Sequence, residues 1–443
     1  MKFKKECLAL LFIFQLITVP ILAQSQFIGE WKGAFVREGS IQLTELTFFI
    51  ENDSLKGYHH IPERELYDEP ITEIEQRADT LFFRSRYGPF WLISNNHPDQ
   101  LLGMSVRWNP KIKLHLKRHS LNALYHDTRE YSVNNGENNL TGKVYIPAKE
   151  FANNKLIVLI HGSGPVLMED RYYRTEAIAL AKRGYHVAVY DKRGSGASTG
   201  NLSEASIGDL ASDAVVILNE MKQQFGPDFK YGFLGISQGG WVATNAANQT
   251  NASDFLILNV GPAVSIWQQE LDRVKYTMLQ QEYSDAAIDS ALSHVELMFQ
   301  LVNDSTLWPE YIRSSKEIND LGLDEIVNTR LEIYDRHVSW WRINNYDPKE
   351  DLMNMKIPVL SLMGAKDPLV PPGTNQKLMD EFLSKSESPF YDIKVFDNVY
   401  HGLESYSDFR GTNWEWPSSY WVWPYKAEGL YDTINDFFKR IEK

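Results

Sequence analysis

The chain has 443 residues, with 45 Lys+Arg against 58 Asp+Glu and a formal charge of −13. That length suits one large domain plus a smaller one, and 43% hydrophobic with 23% charged residues excludes a disordered or fibrous chain. The acidic balance leaves no electrostatic footprint for nucleic acid and opposes binding to anionic lipid.

Residues 1–23 read as a secretory signal. Lys2, Lys4 and Lys5 precede an apolar run from Cys7 to Ala23, and polar Gln24-Ser25-Gln26 follows. An uncleaved anchor is the competing reading; Pro20 and the small Ala23 favour cleavage. Cys7 sits too early to be a lipoprotein cysteine. It is also the only cysteine, so a cleaved chain has no disulfide, thiolate nucleophile or cysteine metal site. No later stretch approaches 18 apolar residues, so no integral membrane segment is expected after cleavage.

Residues 24–120 have period two and little helix. Ile41–Ile50, Thr80–Arg84, Phe90–Ile93 and Ile112–Leu116 alternate or run apolar, separated by turns at Glu51-Asn52-Asp53, Asn95-Asn96 and Asn109-Pro110. The pattern predicts a small antiparallel sandwich or barrel, whose role is not legible.

Residues 121–443 follow a different rhythm. Strands at Gly142–Ile146 and Lys155–Ile160 lead into an alternation. It runs helix Thr175–Lys182, strand Tyr185–Tyr190, helix Ile207–Gln224, strand Tyr231–Ile236, helix Trp241–Asn248 and strand Phe255–Val260. Near-continuous apolar strands such as Leu156–Ile160 predict an α/β domain with a mostly parallel sheet. Residues 263–350 break the alternation with helical pieces at Ile266–Glu282, Asp285–Leu301 and Leu323–Trp340, which predicts a helical cap. Strand logic returns at Pro358–Gly364, then helix Gln376–Leu383, strand Tyr391–Phe396 and helix Gly429–Ile441.

Gly235-Ile-Ser237-Gln-Gly239 carries the chemistry. A G-x-S-x-G alone says little; here an apolar strand enters it and a small-residue helix leaves it. That context holds a serine hydroxyl exposed on a sharp turn. Serine is a weak nucleophile unless a base activates it and an acceptor orients the base. Asp367, past strand Pro358–Gly364, and His401, past strand Tyr391–Phe396, occur downstream in the required order, where sites on parallel sheets collect. The turn at Ile160-His-Gly-Ser-Gly-Pro165 offers the backbone N–H of Ser163 or Gly164 to an oxyanion, with that of Gln238 as second donor. His161 reads as a structural residue of this turn.

The order H-G-S-G-P, Asp191-Lys-Arg-Gly-Ser-Gly-Ala-Ser-Thr-Gly200, G-I-S-Q-G-G, G-A-K-D and H-G resembles the α/β-hydrolase superfamily. More narrowly it resembles the secreted esterase and serine-aminopeptidase-like branch, over roughly Tyr125–Lys443. The resemblance implies Ser237 as nucleophile, Asp367 as acid, His401 as base, and Ser163 or Gly164 with Gln238 at the oxyanion hole. It implies no cofactor. Prolyl-peptidase relatives often carry an aromatic after the nucleophile; Gln238 departs from that.

Other fragments read as structural. Asp191-Lys192-Arg193-Gly194 lacks the spacing of a phosphate loop and reads as an ion-pairing turn. His59-His60 and His294-Val-Glu296 lack catalytic-metal spacing. Eight of twelve tryptophans lie beyond residue 262, as core or as an aromatic wall near His401. The expected activity is cleavage of a small ester in a secreted or periplasmic setting. The alternatives are an exopeptidase on short peptides, with Glu282, Asp285 or Glu296 taking the substrate amine, and a non-catalytic binding protein.

Overall fold

The computed structural model describes residues 26–38, 40–94, 97–119, 126–327, 329, 341, 343–405 and 425–442. The expected signal (1–23), the Asn95-Asn96 turn and most of the Leu323–Trp340 helix lie outside them, as do Trp340, Trp414, Trp416, Trp421 and Trp423; the described start of that predicted helix, residues 323–327, holds turn and bend rather than helix. Two compact units emerge, one carrying the chain up to Leu124, the other built from Tyr125–Ser405 and Lys426–Lys443.

The first unit is a nine-stranded antiparallel sheet. Its strands are β1 (Gly29–Arg37), β2 (Ser40–Glu51), β3 (Ser54–Ile61), β4 (Leu66–Pro70), β5 (Thr72–Arg77), β6 (Thr80–Ser85), β7 (Gly88–Ser94), β8 (Gln100–Ser105) and β9 (Lys113–Arg118). They pair in the order β4-β3-β2-β1-β9-β8-β7-β6-β5. Burial alternates along β6 and β8 at every second residue, as a sheet with one covered face requires. Phe48 of β2 and Phe83 of β6 are five strand spacings apart along the sheet, about 24 Å if it were flat. Their ring centroids are 6.0 Å apart. The sheet therefore curls onto itself around a core of Trp31, Phe35, Phe48, Phe83 and Phe90.

The second unit is an eight-stranded sheet in the order β10-β11-β13-β12-β14-β15-β16-β17. These strands are β10 (His126–Asn135), β11 (Asn138–Pro147), β12 (Lys155–Ile160), β13 (His186–Tyr190), β14 (Lys230–Ile236), β15 (Phe255–Asn259), β16 (Val359–Gly364) and β17 (Tyr391–Phe396). β10 and β11 join antiparallel; the rest pair in parallel. Every residue of β12, β13 and β16 is buried, because helices cover both faces. Crossovers run through α1 (Arg171–Ala181), α2 (Ile207–Phe225) and α3 (Gln238–Gln249). A capping box between Ser206 and Asp209 starts α2, and Gly226 ends it. Between β15 and β16 the chain inserts α4 (Ile266–Gln280), α5 (Asp285–Asn303), α6 (Trp308–Asp320) and the short α7 (Lys349–Met353). Side chains of Ser265 and Ser284 cap α4 and α5. α8 (Pro372–Leu383) and α9 (Leu430–Ile441) complete the unit. No helix among the described residues is long and apolar enough to cross a membrane.

Trp267 and Trp341 pack in the core of the insertion. Trp267 stacks on Phe299 at 4.9 Å and Trp341 meets the same ring edge-on at 5.3 Å.

Candidate active site

Parallel pairing of β12, β14, β15, β16 and β17 brings their carboxyl ends to one rim, and every expected site residue follows one of those ends. Ser237 follows β14 directly. Its backbone has φ 55° and ψ −121°, the left-handed side of conformational space that a side chain enters only under constraint. The constraint is close packing on both sides. A side chain at Gly235 would meet Ala243 Cβ at 2.6 Å, and one at Gly239 would run into the Ile160 carbonyl and meet that of His161 at 2.6 Å. Only glycine lets α3 start hard against β14 and the β12 loop. α3 begins at Gln238, three residues before the helix predicted from Trp241, because Ser237 is its N-terminal flanking residue.

Asp367 and His401 are brought together. Gly364 ends β16 beneath the carbonyls of Val399 and Tyr400, and the Lys366 N–H donates to Val399 O at 2.9 Å. The His401 Nδ1–H donates to Asp367 Oδ2 at 2.8 Å. Asp367 Oδ1 accepts from the N–H groups of Leu369 (2.8 Å) and Val370 (2.9 Å), and the residue is fully buried. A carboxylate at this position selects the Nδ1–H tautomer of the neutral imidazole, in which the lone pair is on Nε2. Among the described residues no hydrogen bond joins the Ser237 hydroxyl to this imidazole.

The turn at residues 160–165 adjoins Ser237. The α-carbon of Gly162 faces Ser237, so that a Cβ there would stand 3.5 Å from Ser237 Cβ. The Gly162 N–H donates to the Tyr173 hydroxyl at 2.9 Å. Ser163 and Gly164 are exposed, and Gly164 has φ +81°. His161 is buried between the edges of Tyr173 and Tyr190, with ring centroids at 4.7 and 4.5 Å, and burial pushes it down to about 3. It is a neutral packing residue in this turn.

Three contributors escaped sequence reasoning. Lys192, read there within an ion-pairing turn, has no carboxylate partner among the described residues; its neighbour Arg193 does, forming two bonds to Asp213 at 2.7 and 2.8 Å. The Lys192 ammonium instead donates to Gly162 O at 2.7 Å and to Gln238 Oε1 at 2.9 Å. Lys426 and Glu176 brace the His401 loop from behind. Lys426 Nζ lies 3.3 Å from Glu176 and donates to Gly402 O at 3.3 Å. Burial opposes the Lys426 charge, but Tyr172, Glu176 and Glu404 together raise its pKa above the ordinary lysine range. Gln238 in place of an aromatic was the one sequence signal for any of this; Glu176 and Lys426 have none.

The insertion lies against the loop that carries Asp367. Gln269 of α4 donates to Leu369 O at 2.6 Å. Burial, then the charges of Asp367 and Tyr400, raises the Tyr276 hydroxyl. Glu282, Asp285 and Glu296 are all exposed. His294 is buried on Ser314 at 2.7 Å, and His59 is buried on Thr44 at 2.6 Å.

A family model for serine aminopeptidase, S33, matches residues 152–405, more than half of the chain. Solved structures that resemble it include a Pyrococcus furiosus esterase, 15% identical over 62% of this chain and 84% of that one, with a TM-score of 0.42. A proline iminopeptidase from Mycobacterium smegmatis is 18% identical over 62% and 92%, TM-score 0.40. Est1E from Butyrivibrio proteoclasticus, solved with ferulic acid, is 14% identical over 61% and 91%, TM-score 0.40. No curated protein matches the chain.

Proposed function

Because the chain belongs to the serine aminopeptidase S33 family of α/β-hydrolases, we propose that it is a secreted serine hydrolase cleaving small carboxylic esters. The observation that carries this is the Asp367–His401 hydrogen bond of 2.8 Å on the rim that also holds the strained Ser237. Ser237 Oγ attacks the ester carbonyl while His401 Nε2 takes its proton. Asp367 holds the imidazole in the productive tautomer and stabilises the imidazolium. The N–H groups of Gln238 and of Ser163 or Gly164 receive the oxyanion. Collapse expels the alcohol, protonated by His401, and water then releases the acid from the acyl-serine by the same route. Residues 1–23 serve as the export signal in this reading.

An exopeptidase is the second reading, and Asp272 is the observation that favours it. It lies three and four residues from Gln269 and Tyr276 on α4, so the three share a face. Its Oδ2 is buried without a hydrogen-bond partner among the described residues, and burial raises its pKa. Its Oδ1 accepts from Gln268 at 2.9 Å, and the open Oδ2 would suit a substrate ammonium. Steady-state rates on p-nitrophenyl acetate and on aminoacyl p-nitroanilides separate the two. Faster ester turnover supports the esterase; preferential amide cleavage, lost in Asp272→Asn, replaces it with the peptidase.

A further inference from the structure

A lysine ammonium taken out of water is costly unless an anion meets it. Lys192 is 3% exposed at the end of β13, yet its partners are two neutral oxygens, Gly162 O and Gln238 Oε1. Those partners belong to the two segments that would supply the oxyanion donors. The Gly162–Ser163 peptide is trans, so its C=O and N–H point in opposite directions. Holding Gly162 O on Lys192 therefore turns the Ser163 N–H away from the lysine. The preceding peptide is fixed as well, its N–H donating to Tyr173 at 2.9 Å. The second bond ties the same ammonium to the first residue of α3, whose own N–H stands beside Ser237. A phenylalanine or tryptophan at position 238 would have no acceptor for it.

Resting on the serine-hydrolase reading above, we propose that Lys192 is a positioning residue of the oxyanion hole. It orients the Ser163 N–H through Gly162 and braces Gln238, and its charge lies behind the peptide that receives the developing oxyanion. Ser163 rather than Gly164 is then the donor from the β12 loop. The negative charge that Lys192 lacks in the resting enzyme forms transiently in the transition state, where it counts toward rate rather than binding.

Few neighbours compete with this titration. From the β12 turn Lys192 faces His161, held neutral by burial, and around that ring stand Tyr173 of α1 and Tyr190 of β13, both raised by burial. Asp191 on its own turn is engaged by the N–H groups of Met168 and Ala197. Burial brings Lys192 down to about 8. The active, charged form therefore prevails below about pH 8 and is lost above it.

The test compares wild type, Lys192→Met and Lys192→Arg on p-nitrophenyl acetate across pH, with fluorophosphonate labelling and thermal melts alongside. We expect Lys192→Met to lower kcat on the order of ten- to hundred-fold with KM within about twofold; losing a whole oxyanion donor costs about a hundred- to a thousand-fold. Lys192→Arg should recover part of the rate. The alkaline decline of wild-type kcat near pH 8 should vanish in Lys192→Met and move upward in Lys192→Arg. Wild-type kcat in folded Lys192→Met overturns the proposal, as does an unchanged alkaline limb, or equal losses in melting temperature and kcat/KM without any change in the limb. If Lys192→Met does not fold, the limb of Lys192→Arg decides alone: displaced supports the role, unmoved refutes it. A wild-type enzyme that neither hydrolyses ester nor takes the label refutes the hydrolase reading itself, before any variant is compared.

Discussion

His401 and Asp367 lie 34 residues apart in the chain and 2.8 Å apart in space, joined through Nδ1 and Oδ2. Two backbone N–H groups hold the other carboxylate oxygen, so Asp367 cannot swing away without losing three hydrogen bonds at once. Asp367→Asn would keep the volume but present an amide where the Nδ1–H needs an acceptor. The flipped tautomer would aim a proton, not a lone pair, at Ser237. Ester kcat should fall about ten-thousand-fold, with a native circular dichroism spectrum. A loss below about tenfold would show that Asp367 does not orient the base.

The elbow makes a stability prediction. Gly239→Ala would drive a methyl group into the carbonyls of Ile160 and His161, atoms that cannot rotate away. Chemical denaturation should show a loss of about 1–3 kcal/mol or more, together with reduced ester turnover because the oxyanion loop is displaced. An unchanged midpoint would mean that α3 and the β12 loop do not approach as closely as drawn.

Acid should loosen the protein through its buried histidines. His59 and His161 are pushed down to about 3 and His186 to about 4, each chiefly by burial. Between those values and the ordinary 6.5, the unfolded chain binds protons that the folded chain refuses. Stability from these groups is therefore complete above about pH 6.5 and is lost as pH falls toward 3 to 4. The melting temperature should drop from about pH 7 to about pH 4.5, and drop less in His161→Phe, which removes one such group. An identical acid slope in the two proteins would contradict a neutral, buried His161.

The architecture was legible where burial leaves a mark on composition. Leu156-Ile-Val-Leu-Ile160 is apolar throughout because both faces of β12 are covered, and the strand runs Lys155–Ile160 as its sequence implies. β10, His126–Asn135, is as regular a strand, but its residues are mostly polar and it sits at the sheet edge, so no apolar rhythm announced it. In the first unit, β1, β3, β4, β5 and β8 were missed because Lys, Glu, Gly and His interrupt the alternation. The serine turn showed itself because strand, glycines and helix are contiguous. Lys192 with Gln238, 46 residues apart, and Lys426 with Glu176 are held by tertiary packing alone; no local pattern encodes such pairs.

The most direct measurement is covalent labelling of the folded protein by a fluorophosphonate, with the modified residue mapped by mass spectrometry. The account predicts stoichiometric phosphonylation of Ser237, abolished in Ser237→Ala, with ester kcat in that variant down by about four orders of magnitude. Labelling at another residue, or ester turnover near wild type in Ser237→Ala, would contradict it.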